Sequence, residues 1–283
     1  MATFFNQATL TYNNNVINSN ITTGEIQEVL SITKTAVLDT YTQGDEVTYV
    51  INIRNTGTLA YNDLTITDDL GAYSFGTQTL VPLTYQEGTA TLFINGVPQA
   101  DPTVTAGPPL VISGINIPAG GVATVIYAAR LNQFAPLDTG STITNTATAA
   151  GGGITPITTT ETITAAEEAN LTITKSLSPT VVTENGQITY TFVIQNTGNT
   201  PVVATDNAII TDTFDPILSN LTVTFNGAAW TAPVNYTYNP TTGQFSTNPG
   251  QITVPAATYT QDPVTGAVVI QPGVSVLTIT GTV

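Results

Sequence analysis

The sequence contains no cysteine and no histidine. Disulfide frameworks, thiolate nucleophiles, imidazole bases and every Cys or His metal site are thereby excluded. Basic residues are nearly as scarce, with 4 Lys and Arg against 19 Asp and Glu and a formal net charge of -15. So few positive charges cannot neutralise a phosphate backbone, and nucleic acid is not expected as a partner. No apolar run approaches the roughly 20 residues that a membrane helix needs, so no membrane insertion is expected. The start, Met1-Ala2-Thr3-Phe4-Phe5, has no basic n-region or apolar h-region. For an exported chain, the expectation is a signal already removed or release by lysis.

What is present points to strands. Hydrophobic residues make up 41% of the chain, charged residues only 8%, and Thr alone is about a fifth. With 23 Gly and 17 Pro as punctuation, such a composition favours short β-strands and turns over helices. At 283 residues the chain is long enough for two domains, each able to bury a core without staples.

A self-match at an offset of 141 residues supports that division. Leu30 to Gly57 aligns without gaps on Leu171 to Gly198, with 11 of 28 positions identical. The shared anchors are Leu30-x-Ile32-Thr33-Lys34 with Leu171-x-Ile173-Thr174-Lys175, Thr48-Tyr49 with Thr189-Tyr190, and Asn55-Thr56-Gly57 with Asn196-Thr197-Gly198. Further on, Ile66-Thr67-Asp68 matches Ile210-Thr211-Asp212, and Gly121 to Val125 matches Gly273 to Leu277. Alternating strands broken by Asn-Gly, Thr-Gly and Pro-Gly turns predict two tandem antiparallel β-sandwiches, an all-β fold.

These motifs resemble the Ig-like repeat of bacterial and archaeal cell-surface proteins, the Asn-Thr-Gly / Asn-Thr-Ala-Thr type. The resemblance covers nearly the whole chain. It implies an Ig-like fold and a role in stalks, adhesins or appendages, not catalysis. The family's closing strand reads Asn-Thr-Ala-Thr and is present in the first repeat as Asn145-Thr146-Ala147-Thr148. The second repeat stops at Val283, which aligns with Leu131, and is expected to lack that strand. A counterpart lies at the other end, where Phe5-Asn6-Gln7-Ala8-Thr9 aligns with Thr144 to Thr148.

The expected organisation is therefore a donor strand at 1–12, a linker at 13–29, a complete Ig-like domain at 30–149, a linker at 150–170 and an incomplete one at 171–283. A sandwich lacking a strand exposes an unpaired edge, and donor-strand complementation would fill it. The 17 linker residues reach at most about 56–61 Å when extended. Insertion into a neighbour avoids running that linker past the whole first domain, and a head-to-tail contact of this kind propagates as a filament.

The only lysines, Lys34 and Lys175, occupy the same place in the two repeats. Strand alternation puts Lys34 with Leu30 and Ile32, Asp68 with Leu64 and Ile66, and Asn145 with Ile143 and Ala147, all facing inward. In the second repeat the same parity gathers Lys175, Asp212 and, from the donor strand, Asn6. One reading is a buried Lys-Asp ion pair hydrogen-bonded to Asn. The other is an isopeptide bond, which this arrangement resembles in several Gram-positive pilin and adhesin domains. There the Lys amine attacks the Asn carboxamide while the acid shuttles protons. The resemblance implies a Lys34–Asn145 staple with Asp68, and a Lys175–Asn6 weld between subunits with Asp212.

Other features read as ordinary structure. Asp68-Asp69 lacks a calcium-loop pattern, so no metal is expected. Gly151-Gly152-Gly153 lacks the helix and Lys of a phosphate loop. Tyr85, Tyr127, Tyr236, Tyr238, Tyr259 and Trp230 read as strand-packing residues before they read as a sugar platform. The sequons at Asn20, Asn170, Asn220 and Asn235 are expected by chance in an Asn- and Thr-rich chain. No cofactor and no enzyme activity on an external substrate is expected. The expectation is a homopolymeric extracellular filament on a bacterial cell or spore, with Phe4, Asn6, Ala8, Leu10 and Tyr12 carrying the donor strand, and with an unknown surface anchor or host ligand as a further partner. The alternative is a monomeric adhesin whose N-terminal strand closes its own second domain.

Overall fold

Alternation of Val47, Tyr49, Ile51 and Ile53 with polar or smaller neighbours builds the ten-residue strand Glu46–Asn55, whose inner face is fully buried. The same period-two pattern recurs throughout, and the computed structural model is all-β, its strands paired antiparallel except for Ile157–Ala165 with Thr40–Tyr41, and with one 3-10 turn, Ala204–Asp206, among the described residues. It describes residues 2–26 and 28–283. Met1, the first residue of the expected donor strand, and Gln27, within the expected first linker, lie outside the described residues.

In the first repeat, one sheet runs in the order Val97–Pro98, Thr91–Ile94, Val122–Leu131, Glu46–Asn55, Leu30–Ala36, with Leu83–Tyr85 also paired to Val122–Leu131. The facing sheet runs Thr103–Ala106, Leu110–Ile117, Tyr61–Asp68, Thr142–Gly151, Ile157–Ala165, Thr40–Tyr41. Their inner faces share one apolar cluster that includes Tyr49, Ile51, Leu64, Ile66, Ile112 and Tyr127. In the second repeat the first sheet is rebuilt as Leu171–Ser178, Gln187–Asn196, Gly273–Thr282, Ser219–Phe225, Ala228–Trp230. Among the described residues the facing sheet has three strands, Thr211–Thr213, Gln244–Thr247 and Tyr236–Tyr238. A second cluster centred on Phe214, Phe245, Leu277 and Ile279 lies between them. The register repeats as well as the sequence: Lys34 stands opposite Ile51, and Lys175 opposite Phe192.

Two expectations about linkers are corrected. Within 150–170, Ile157–Ala165 is a nine-residue strand paired with Thr142–Gly151. Its Thr- and Ile-rich alternation buries Ile163 and Ala165, which a linker would leave in water. Within 13–29, Asn15–Asn18 and Thr22–Ile26 are strands that pair with Thr9–Tyr12 and Ala2–Asn6. The N-terminus is therefore a two-stranded hairpin turning at Asn13 and Asn14, both with positive φ as a tight hairpin turn requires. Phe4 and Leu10 on it are 53% and 62% exposed.

The two repeats are clamped together. Asn199 donates to the carbonyls of Leu137 and Ala166 at 3.0 and 2.8 Å. The hairpin Thr258–Gln261/Val268–Gln271 stands where the first repeat has only the turn Pro118–Gly121, and packs Tyr259, Val268 and Ile270 against the first cluster. Gln261 donates to the Tyr73 hydroxyl at 2.8 Å.

Candidate functional site

The Asn-Thr-Gly anchors prove to be turn clamps. Asn55 Nδ2 donates to the carbonyls of Leu59 and Pro118, and its Oδ1 accepts from Gly57 N. Asn196 repeats this on Thr200, Pro255 and Gly198. Both side chains are sealed from solvent, and each ties together backbone groups of its turn that lie at the partly exposed end of the sandwich.

The inward-facing set in the first repeat comes together as parity predicts. Lys34, Asp68 and Asn145 are all buried. Lys34 Nζ lies 2.6 Å from Asp68 Oδ2, with both side chains 0% exposed. Asn145 joins indirectly: its Nδ2 donates to the Tyr127 hydroxyl at 3.1 Å, which donates to Asp68 Oδ2 at 2.7 Å. Asp68 Oδ1 accepts from Leu70 N. The amine also lies 4.6 Å from the centre of the Tyr49 ring, a cation–π distance. Burial pulls the Lys34 amine below its ordinary pKa, against the opposing pull of Asp68. Burial raises the Tyr49 and Tyr127 hydroxyls, with the Asp68 charge adding to it. Two buried polar atoms in this cluster, Tyr49 OH and Asn145 Oδ1, have no hydrogen-bond partner among the described residues.

Sequence reading missed the parts played by Tyr49 and Tyr127. The signal was available, because Tyr49 belongs to the inward series Val47, Tyr49, Ile51, and Tyr127 to the inward series Ala123, Val125, Tyr127. The other aromatics serve packing: Tyr85 and Tyr236 are buried in different clusters, and Trp230 stacks on Phe225 at 4.8 Å. They form no shared platform. Asp69 Oδ1 accepts from Gly71 N and Thr146 N, the work of a turn residue.

The second repeat holds a partial copy. Lys175 pairs with Asp212 and lies 4.4 Å from the centre of the Tyr190 ring, Tyr49's counterpart. Ile279 takes the position of Tyr127, opposite Tyr190 in the same register, so no tyrosine hydroxyl reaches Asp212. The larger difference is exposure, 40% for the Lys175 side chain against 0% for Lys34. In the first repeat Thr142–Gly151 lies against Tyr61–Asp68, and Ile157–Ala165 packs across Leu30–Ala36. Among the described residues, no strand covers the free edge of Thr211–Thr213, and Leu171 and Ile173 stand 42% and 53% exposed. Asn6 is exposed on the N-terminal hairpin, with its backbone paired to Thr22.

Among the described residues, no cluster of three or more acidic side chains could hold a metal, and no helix is long and apolar enough to cross a membrane. No family model matches the chain, and no curated protein does. Solved structures with a loose likeness include BcpA, the major pilin subunit of Bacillus cereus, at 11% identity over 95% of this chain and 73% of that one, with a TM-score of 0.35. The pilus backbone RrgB from Streptococcus pneumoniae is 12% identical over 86% of this chain, with a TM-score of 0.35. The chain spans about 55% of that protein's length. The collagen-binding domain of a Staphylococcus aureus adhesin is 12% identical over 50% of this chain and 99% of that one, with a TM-score of 0.30.

Proposed function

We propose that the chain is the structural subunit of an extracellular filament, a pilus-like or spore appendage, that polymerises head to tail by donor-strand exchange. The observation that carries this reading is the contrast between two equivalent lysines, one sealed by its closing strands and the other 40% exposed at an uncovered edge. Phe4 to Leu10 aligns with the strand that seals the first site and is held out in solvent. Seated on the neighbour's Thr211–Thr213 edge, it would bury Phe4, Ala8 and Leu10 and bring Asn6 to Lys175 and Asp212. Burying a Phe and a Leu contributes about 1.5–3 kcal/mol each, beyond the main-chain pairing. The acidic surface keeps free subunits soluble.

The filament reading includes covalent reinforcement. Lys34 Nζ, having passed one proton to Asp68, attacks Cγ of Asn145; Nδ2 takes that proton and leaves as ammonia as its bond to Cγ breaks, and the new amide nitrogen gives its surplus proton back to Asp68. Support comes from a dry pocket, a lowered amine pKa and a carboxylate already in contact. The same reaction between Lys175 and Asn6 would join one subunit to the next.

Removal of residues 1–12 tests assembly, with light scattering and electron microscopy as readouts. Polymerisation of the truncated chain would refute strand exchange. Denaturing gels with intact masses test the bonds. A ladder of multimers, each lighter by one ammonia per bond, is expected. A monomer of unmodified mass would leave both lysines as ion-paired side chains.

A further inference from the structure

We infer that the element passed between copies is the whole hairpin, residues 2–26, and that its second strand closes the acceptor's far edge at Val181. This rests on the filament reading above and specifies how the subunits dock.

The closing hairpin of the first repeat supplies the template. Its strands pair Thr142 with Thr164, Ile143 with Ile163, Thr144 with Thr162 and Asn145 with Glu161. The N-terminal hairpin pairs Thr3 with Glu25, Phe4 with Gly24, Phe5 with Thr23 and Asn6 with Thr22. The second set is the first with 139 subtracted from every number, on both strands at once. One inward-facing pair exchanges its bulk: Ile143 faces Ile163, whereas Phe4 faces Gly24, and the Phe4 ring fills the space that a Gly24 Cβ would occupy. A lone donor strand would have no reason to carry a partner in this register. Past Asn6 the two hairpins part by one residue, Thr9 standing opposite Asn18 and Leu10 opposite Ile17.

The template also fixes both contacts with the acceptor. In the first repeat, Ala147 pairs with Asp68 and Thr148 with Thr67 on one edge, while Thr164 pairs in parallel with Thr40 on the other. Carried over, Ala8 faces Asp212, Thr9 faces Thr211, and Glu25 faces Val181, which is 86% exposed. The hairpin would then lie across Leu171, Ile173 and Leu177, as Ile157–Ala165 lies across Leu30–Ala36.

An intact hairpin cannot close its own chain. The Thr40–Tyr41 end is where the first repeat passes into the second, with Ala166 N donating to Tyr41 O. Its counterpart, Val181, is therefore at the far end of the second repeat from Leu30. Reaching it means crossing two repeats, each about 33 Å along a ten-residue strand. Only residues 27–29 separate the hairpin from Leu30, a leash of roughly 10–15 Å. The occupant is a second copy.

The chain has no cysteine, so introduced thiols report alone. Thr9→Cys chains mixed with Thr211→Cys chains, and Glu25→Cys chains mixed with Val181→Cys chains, all also carrying Lys175→Arg so that no Lys–Asn bond can join subunits, would be treated with a short bis-maleimide and run on denaturing gels, with the unsubstituted protein viewed in parallel by electron microscopy. Cross-linked dimers in both mixtures are expected. A dimer in the first mixture alone would overturn hairpin docking while leaving single-strand exchange standing. Dimers in neither mixture, or no filaments from the unsubstituted chain, would overturn the filament reading itself.

Discussion

Replacing Asp68 with Asn and Asp212 with Asn changes the same chemistry at two equivalent places, and the outcomes should differ several-fold. Asp68→Asn keeps the volume but leaves the Lys34 amine, 0% exposed, without its counter-ion. Breaking a buried pair from one side costs about 3–5 kcal/mol. Asp212→Asn leaves an amine on a side chain that is 40% exposed, so the pair is worth about 0–1 kcal/mol in the free subunit. At about 2–4 °C per kcal/mol for a chain of this size, the thermal midpoint should fall by roughly 6–20 °C for Asp68→Asn and by no more than about 4 °C for Asp212→Asn. Calorimetry on dilute, unassembled protein would read both. If a Lys34–Asn145 bond has formed in the parent, Asp68→Asn also prevents it, which widens the gap. Equal, small shifts would contradict the sealing of the first site.

Other expectations concern turns, assembly and pH. Leu10→Ala should weaken docking by about 2–5 kcal/mol, raising the critical concentration at least tenfold in sedimentation assays without altering the monomer's circular dichroism. Asn55→Ala removes the hydrogen bonds to two turn carbonyls and one amide, and should destabilise the first repeat by about 0.5–1.5 kcal/mol per bond lost in urea titrations. Burial holds the folded Lys34 amine below its free value of 10.5, so the unfolded chain binds more protons there and stability should rise with pH through the window below 10.5. Burial raises the Tyr41, Tyr49 and Tyr127 hydroxyls, so the unfolded chain ionises first and stability should fall above about pH 10. A protein already carrying the amide would show only the fall. Thr58 stands where Asn199 clamps the repeats, and the turn Pro118–Gly121 stands where the 258–271 hairpin braces them. Bending along filaments should therefore concentrate at junctions between copies; uniform bending in class averages would argue otherwise.

Much of this was legible in the sequence because a strand's period of two assigns faces without ambiguity. Lys34, Asp68 and Asn145 fall on inward positions of three different strands, and their meeting follows from parity once the strands are in register. The repeat then carried the same logic to Lys175 and Asp212. What parity cannot give is pairing. Asn15–Asn18 and Thr22–Ile26 are only four and five residues long, and Ile157–Ala165 carries just Ile157 and Ile163 as large apolar residues among its threonines, so all three read as linkers. Their strand character comes from partners on the neighbouring strand, which no local pattern records. The Tyr127 bridge was hidden for a related reason. Its hydroxyl reaches Asp68 only because the two sheets face each other, and facing distances are a property of packing.

The most direct test of strand exchange is a helical reconstruction of the filaments at a resolution that separates strands. Residues 2–26 of one copy should lie as two strands along Thr211–Thr213 of the next, with Asn6 beside Lys175 and Asp212. Density for the hairpin projecting freely into solvent, with the Thr211–Thr213 edge bare or covered by another segment, would contradict it.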